Sequence, residues 1–480
     1  MAVRQLLFGL SASGFRLEGG FNGRGEPQNQ WTAWERAGRV PPARRAGRVW
    51  TDPDRVLELA AAAGARVLAL SVEWARIEPS PGCLDERAVA AYAAAFASAT
   101  ARGVTPIAVL HDVAHPAWLG EELWLTPGSP DRFADHVARL VEPLSSSCRH
   151  WVTLRQPNLV ALAGWIDGRH PPRRVGALAD AWAVVDNLLS AHLLAYRAIH
   201  DLQPHAQVLL GLRASVSYDW HRLMVDLLCA PGLGIARDAV DPWVVARRAA
   251  HDAALPPASL GDLAWRRLAR ATSPFGTGKW RRPSPRRALD LAYGLAAARD
   301  PAPFATNGSG APAGSKYPAD ALLVGWMPPH VSARLADLAL AGAAARSARW
   351  ARSARPWETV PDPGALAAWC RDHARAVPGL PLWVEDGFAT DGGVPRADGW
   401  DRTSYIRAQL RALEAAAAET AAAKAAAADA GAVVEGYLYY APEGGGDPTW
   451  PDADFGLGSD ASDLGRLVGG TAPPGDEACP

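Results

Sequence analysis

The chain has 480 residues, 49% of them hydrophobic and 21% charged, with a formal net charge of −1. That balance suits a globular protein with a sizeable core and gives no reason to expect a nucleic-acid or anionic-membrane partner. No apolar run approaches the roughly 18 residues a membrane span needs, and five scattered cysteines (Cys83, Cys148, Cys229, Cys370, Cys479) sit at neither metal-ligand nor redox spacing, which predicts reduced thiols in a cytoplasm.

The opening stretch, Met1 to Leu10, has too short an apolar run for a signal peptide. A helical stretch from Asp54 to Ala63 stops at Gly64 and leads into an apolar strand run, Val67 to Val72. A second helical stretch, Glu86 to Ala101, stops at Gly103 before the strand run Thr105 to His111. Further strand runs fall at His150 to Leu154, Gln207 to Leu212, Leu382 to Glu385 and Val433 to Tyr440. Strands separated by single helices predict parallel βαβ units, and their repetition through residues 1–480 suits one closed (β/α)8 TIM barrel with elaborated loops, class α/β. Residues 298–318, rich in Ala, Pro, Gly and Ser, read as an exposed loop, and 470–480 as a flexible tail. The alanine-rich stretch 411–430 reads as a surface helix with little to bury. The abundant Ala and Arg suggest a GC-rich bacterial genome.

Six segments in order carry a resemblance. Phe8 to Gly19 is similar to an opening-strand motif Phe-x-Gly-x-Ala-Thr-Ser-Ala-Tyr-Gln-x-Glu-Gly. Ser71-Val-Glu-Trp74-Ala-Arg76-Ile77-Glu-Pro79, Val109 to Pro116, and Trp151-Val-Thr-Leu-Arg155-Gln156-Pro157-Asn158 follow at the expected intervals. Pro381-Leu-Trp-Val-Glu385-Asp386-Gly387, then Glu435 to Tyr437 with Asp454 to Leu457, complete the set. Together they resemble glycoside hydrolase family 1, the β-glucosidase family. The resemblance implies a retaining mechanism in which Glu385 takes the nucleophile position and Gln156 the position of the general acid/base, with the site at the C-terminal strand ends.

Position by position, the family's site residues are mostly replaced. The sugar-gripping Gln is Arg16, the third-strand His is Asp112, and the Asn before the acid/base is Arg155. The second-strand arginine that holds the nucleophile falls at Ala69, and the Asn-Tyr pair expected near residues 325–327 reads Gly325-Trp326-Met327. The late sugar-gripping segment has become Tyr440 to Pro448. Only the nucleophile position, Glu385, keeps its residue; Asp386 beside it, with Arg16, Asp112 and Arg155, is a candidate substrate-binding residue. A glutamine neither donates nor takes up a proton near neutral pH, which removes a contribution of about 10²–10⁴-fold. Plant myrosinases are similar in carrying Gln at this position and cleave activated thioglucosides.

Three readings follow. Arg16 with Asp112, and Arg155 with Glu385, could form ion pairs that plug the sugar pocket, leaving a pseudo-glycosidase that binds or scaffolds. Arg16 and Arg155 could instead make a cationic pocket for an anionic ligand, a phosphate or carboxylate. Or Glu385 could remain the nucleophile of a retaining glycosidase or transglycosidase acting on an activated or anionic glycoside. Glu443 and Asp447, in a glycine-rich loop, are candidates to supply the missing proton; Glu18 and Glu73 are expected to bond locally. His111 and His115 flank Asp112 without a third ligand at good spacing, so no metal is expected. Trp31, Trp34, Trp118, Trp124 and Trp165 are more often packing than ligand contacts. The arginine-rich stretches 39–48 and 280–287 read as solvated loops. No phosphate loop or dinucleotide fingerprint is present and no cofactor is expected.

Overall fold

The computed structural model describes residues 6–12, 14–42, 50–215, 217–255, 260–275, 285–298, 315–326, 361–426, 434–440, 453–454 and 456–457. Eight strands close a parallel barrel in sequence order: β1 (Leu7–Ala12), β2 (Val67–Ser71), β3 (Thr105–Val109), β4 (His150–Val152), β5 (Gln207–Arg213), β6 (Ala321–Gly325), β7 (Leu382–Asp386) and β8 (Val434–Tyr440), with β8 returning to β1. The helices of eight or more residues among the described residues are α1 (Pro53–Ala62), α2 (Glu86–Ala101), α3 (Ser129–Leu144), α4 (Pro157–Trp165), α5 (Leu178–Leu202), α6 (Arg222–Cys229), α7 (Val240–Ala254), α8 (Leu260–Thr272), α9 (Arg286–Ala298), α10 (Pro363–Ala376) and α11 (Arg402–Ala426). This is the (β/α)8 barrel expected from the alternating pattern.

Local signals act where the sequence places them. Asp85 caps α2 by accepting from the backbone N–H groups of Arg87 and Ala88. Gly64 and Gly103 take positive φ (66° and 74°) just past α1 and α2, the left-handed exit that glycine tolerates. The strand run at 150–154 yields only β4, Val152 being its last residue, because the next residues turn into the mouth of the barrel. The alanine-rich helix differs from expectation. α11 begins at Arg402, and its first half buries Tyr405, Ile406, Gln409 and Leu413 against the barrel wall. Within the stretches read as a loop and a tail, 299–314 and 470–480 lie outside the described residues.

Strand side chains alternate between the two faces of the sheet. The inward set, Leu7, Val67, Ala69, Ile107, Val109, Val152, Leu209, Ala321, Leu323, Trp383 and Leu438, forms a separate core inside the barrel. The outward set, such as Phe8, Leu10, Leu68, Leu70 and Val384, packs under the helices. Two glycines make room inside. A Cβ at Gly9 would stand 2.6 Å from the Val67 carbonyl and 2.7 Å from Leu438, and one at Gly436 would collide with the Trp383 ring. Above this apolar plug, the next inward positions at the strand ends are Ser11, Ser71, Arg213, Gly325 and Glu385. No helix among the described residues is long and apolar enough to cross a membrane.

Several histidines are buried as neutral groups. His192 sits between the Thr153 hydroxyl (2.7 Å) and the Pro318 carbonyl (2.8 Å), and His221 between the Arg213 carbonyl (2.8 Å) and His373 (3.1 Å). Burial pulls His111 and His221 down to about 3 and His115 and His192 to about 4.

Two outcomes are expected. Gly436→Ala should destabilise the fold by about 1–3 kcal/mol, read from urea unfolding, because the added methyl forces Trp383 off its seat. Stability should also fall as pH drops from 7 toward 4. Between the folded and unfolded histidine pKa values the unfolded chain binds more protons, so the contribution is complete above about 6.5 and lost on acidification. Asp386, raised by burial to about 6, and the raised carboxyls of Glu18, Glu73, Glu121, Asp186 and Asp219 act in the opposite direction, but the lowered groups, with His136, His150, His373, Glu78, Asp226, Asp252 and Asp398 beside the four histidines, outnumber them. A urea midpoint that is flat or rising between pH 7 and 4 would contradict this.

Candidate active site

The segment from β4 into α4 brings the central residues to the C-terminal mouth. Arg155 N–H donates to the His111 carbonyl at 2.7 Å, tying the segment to the end of β3. Gln156 takes φ 55° and ψ 51°, left-handed for a residue other than glycine, a conformation that costs on the order of 1–3 kcal/mol and collects at functional sites. That turn starts α4 at Pro157 and sends the Gln156 side chain inward. Asn158 then clamps β5, donating to the Arg213 carbonyl at 2.7 Å and accepting from its N–H at 2.9 Å. Two further glycines admit the segment. A Cβ at Gly211 would stand 2.8 Å from the Leu154 carbonyl, and one at Gly325 would stand 2.5 Å from Gln156 Nε2.

Four of the predicted site residues converge. Glu385 is fully buried on β7. Arg155 Nη2 lies 3.1 Å from Glu385 Oε1, and its Nη1 lies 3.4 Å from Asp112 Oδ2. Gln156 Nε2 donates to Glu385 Oε2 at 3.4 Å. The centre of the network is a residue the sequence reading passed over. Ser11 Oγ donates to Glu385 Oε1 at 2.5 Å and accepts from Arg155 Nη2 at 2.6 Å. A signal for Ser11 existed: it follows Leu7 and Gly9 at the inward spacing of β1, within the opening-strand motif. Both oxygens of Glu385 are thus engaged. The expected replacement of the second-strand arginine takes this form: Ala69 is buried in the barrel, opposite Ser11 in register, and Arg155 reaches Glu385 from the other side.

Asp386 is not brought to this group. One residue on from Glu385, it faces outward, accepting from Tyr405 (2.8 Å), Gln409 (2.9 Å), Tyr437 (3.4 Å) and the Gly387 N–H (2.8 Å). It fastens α11 to β7. Arg16 lies in the short helix Gly14–Leu17, and its side chain, hence its pairing with Asp112, lies outside the described residues, as do Glu443 and Asp447.

The surroundings are packed. Trp31, Trp34, Trp124 and Trp165 are buried, and the Trp118 indole N–H is bonded to the Glu78 carbonyl at 3.0 Å. Glu18 bonds locally, to Tyr92 at 2.6 Å and Arg76 at 3.1 Å. Glu73 accepts from the Phe15 N–H at 2.8 Å, and burial together with the nearby Glu18 charge pushes its carboxyl well above the ordinary range.

Residues 3–230 match the family model described as Glycosyl hydrolase family 1. The 6-phospho-β-galactosidase 1 of Streptococcus pneumoniae is 29% identical over 203 residues, 42% of this chain and 43% of that protein. The match therefore spans less than half of this relative's length. Among solved structures, a family 1 β-glucosidase from Thermotoga maritima in complex with isofagomine lactam has a TM-score of 0.67 at 15% identity, covering 97% of each chain. A rice β-glucosidase Glu-to-Gln mutant in a covalent complex with glucose has a TM-score of 0.65 at 16% identity, covering 96% of this chain and 97% of the other. At these identities the structural likeness speaks for the fold. The family match over residues 3–230, just under half of the chain, and the eight-stranded barrel behind it make the chain similar to glycosyl hydrolase family 1 in its first half and in its fold.

Proposed function

We propose that this barrel no longer hydrolyses ordinary β-glycosides and serves as a pseudo-glycosidase, retained for binding or as a scaffold. The observation that carries the reading is the 3.4 Å contact between Gln156 Nε2 and Glu385 Oε2. A retaining enzyme holds its two carboxyl groups about 5–5.5 Å apart so that the scissile bond fits between them. Here the two corresponding side chains hydrogen-bond to each other across that gap, so the amide holds the carboxylate oxygen that would attack. The other Glu385 oxygen is engaged by Ser11 and Arg155, and the same guanidinium reaches Asp112. If the resemblance holds residue by residue, a sugar would lie between positions 112 and 385, which is where this guanidinium stands. Gln156 also offers only amide hydrogens, so an alkoxide leaving group would depart without a proton. Free thiols at Cys83, Cys148, Cys229 and Cys370 support a reducing compartment such as the cytoplasm.

A second reading keeps Glu385 as nucleophile for an activated or anionic glycoside, whose leaving group needs no acid. It is favoured by the retention of Glu385 at the strand end, by the 6-phosphoglycoside named in the pneumococcal relative, and by the covalent glucose on the rice Glu-to-Gln mutant.

One assay separates the two. Dinitrophenyl β-glycosides, with and without a 6-phosphate, are offered to the wild type and to Glu385→Gln, each with and without azide. We expect release of dinitrophenolate no faster in the wild type than in the variant. Turnover present in the wild type and absent in Glu385→Gln would overturn the silent-barrel reading and establish the second.

A further inference from the structure

Away from the barrel floor, a cavity of about 40 Å³ lies on the flank where α1 and α2 cover the outer face of β2. Leu68 and Leu70 of β2, Leu57 of α1, the Tyr92 and Phe96 rings of α2 and the half-buried Trp50 form its walls. The sequence of α2 opens this space. Tyr92 and Phe96 stand one turn apart, and Ala91 and Ala95 stand one turn apart beside them, so two methyl groups leave a notch next to two rings. The polar end of the cavity is closed. Glu18 accepts from the Tyr92 hydroxyl at 2.6 Å and from Arg76 Nε at 3.1 Å, and Tyr92 accepts from the Glu73 N–H at 3.2 Å. Neither Glu18 nor Tyr92 leaves a buried polar atom without a hydrogen bond. A buried water needs roughly two to four polar partners, and apolar cavities that lack them stay dry and take up apolar guests.

We infer that this recess is a binding site for a small apolar molecule, no larger than a short alkyl chain. The size follows from the volume, which is several times the roughly 10–15 Å³ that admits one water but well below the roughly 150 Å³ of a cavity that takes benzene. Charge on the buried end of the guest is penalised. A cation would find Glu18 already paired with Arg76, and an anion would face the Glu18 carboxylate. A protein partner would need a wider apolar surface. The large exposed apolar side chains among the described residues, Val175, Leu202, Val245, Leu268 and Val394, all lie off α1 and α2. Arg102, just past α2, instead pairs with Asp54 of α1 at 2.8 Å, which makes the neighbouring surface polar. The site is independent of the chemistry at Glu385, because β2 turns Leu68 and Leu70 outward to the cavity while Ala69 faces the barrel interior.

The test reads the methyl groups that wall the cavity. The full chain, methyl-labelled at Leu and Val, is titrated with 1-propanol and with propane-1,3-diol, in which a second hydroxyl replaces the apolar end. 1-Propanol should shift the NMR resonances of Val56, Leu57, Leu68 and Leu70 saturably, with a midpoint on the order of tens of millimolar. The diol should not, because its inner hydroxyl would leave water without gaining a partner. Ala95→Leu, which fills the notch, should abolish the saturable shift. Should that variant not fold, Ala91→Leu fills the same notch from an exposed position and gives the same decision. Equal shifts with the diol, a drift that never saturates, or a saturable shift that persists in the filled variant would each overturn the inference.

Discussion

The guanidinium of Arg155 stands between Glu385 and Asp112, both buried, and shares the Ser11 hydroxyl with Glu385. Taking such ions out of water costs several kcal/mol each, and the attraction between them offsets this only when geometry is good and the remaining lone pairs are used. The charge-assisted contacts and the Ser11 and Gln156 hydrogen bonds supply that condition here. The arrangement is therefore stable only as a unit. Withdrawing Arg155 or Glu385 removes one charge of a buried ion pair in a place water does not reach.

Such a unit needs space, and the backbone provides it at particular points. Across β5, β6 and β7 the register aligns Arg213, Gly325 and Glu385 side by side. The missing side chain at Gly325 is the gap through which Gln156 meets Glu385, and the missing one at Gly211 lets the β4–α4 segment lie close against β5. The left-handed turn at Gln156 directs that side chain inward, and its strain is held by the Asn158 clamp on β5 and by the carbonyl of Gln156 accepting from the first turn of α4. Local strain here is maintained by packing on two neighbouring strands.

The fold was legible because its signals are local and repeated: apolar runs at strand spacing, glycine stops after helices, and motifs in a fixed order. The Arg155–Glu385 contact was legible too, from one residue's offset to the old acid/base and an arginine missing at Ala69. What escaped was decided by side-chain direction. Asp386 follows Glu385, and a period of two already places it on the opposite face, toward Tyr405 and Gln409. Reading it as part of the site took adjacency in sequence for adjacency in space. Ser11 escaped for the converse reason. A small residue in a strand motif carries no chemical signal until the register sets it beside Glu385. α11 was read short because its buried anchors, Tyr405, Ile406 and Gln409, precede the alanine run that drew notice.

A barrel that merely drifts away from catalysis loses site residues one at a time, and each loss leaves a buried polar atom without its partner. Around Glu385 the pattern differs. Both its oxygens are partnered, and every partner sits at a position where the resembled family has something else: Ser11, Arg155 and Gln156. Atoms just outside this group do show the drift pattern, since Ser71 Oγ and one Glu73 oxygen are buried without a hydrogen bond. On the proposed silent-barrel reading, the carboxylate at 385 persists because the buried Arg155 cation depends on it.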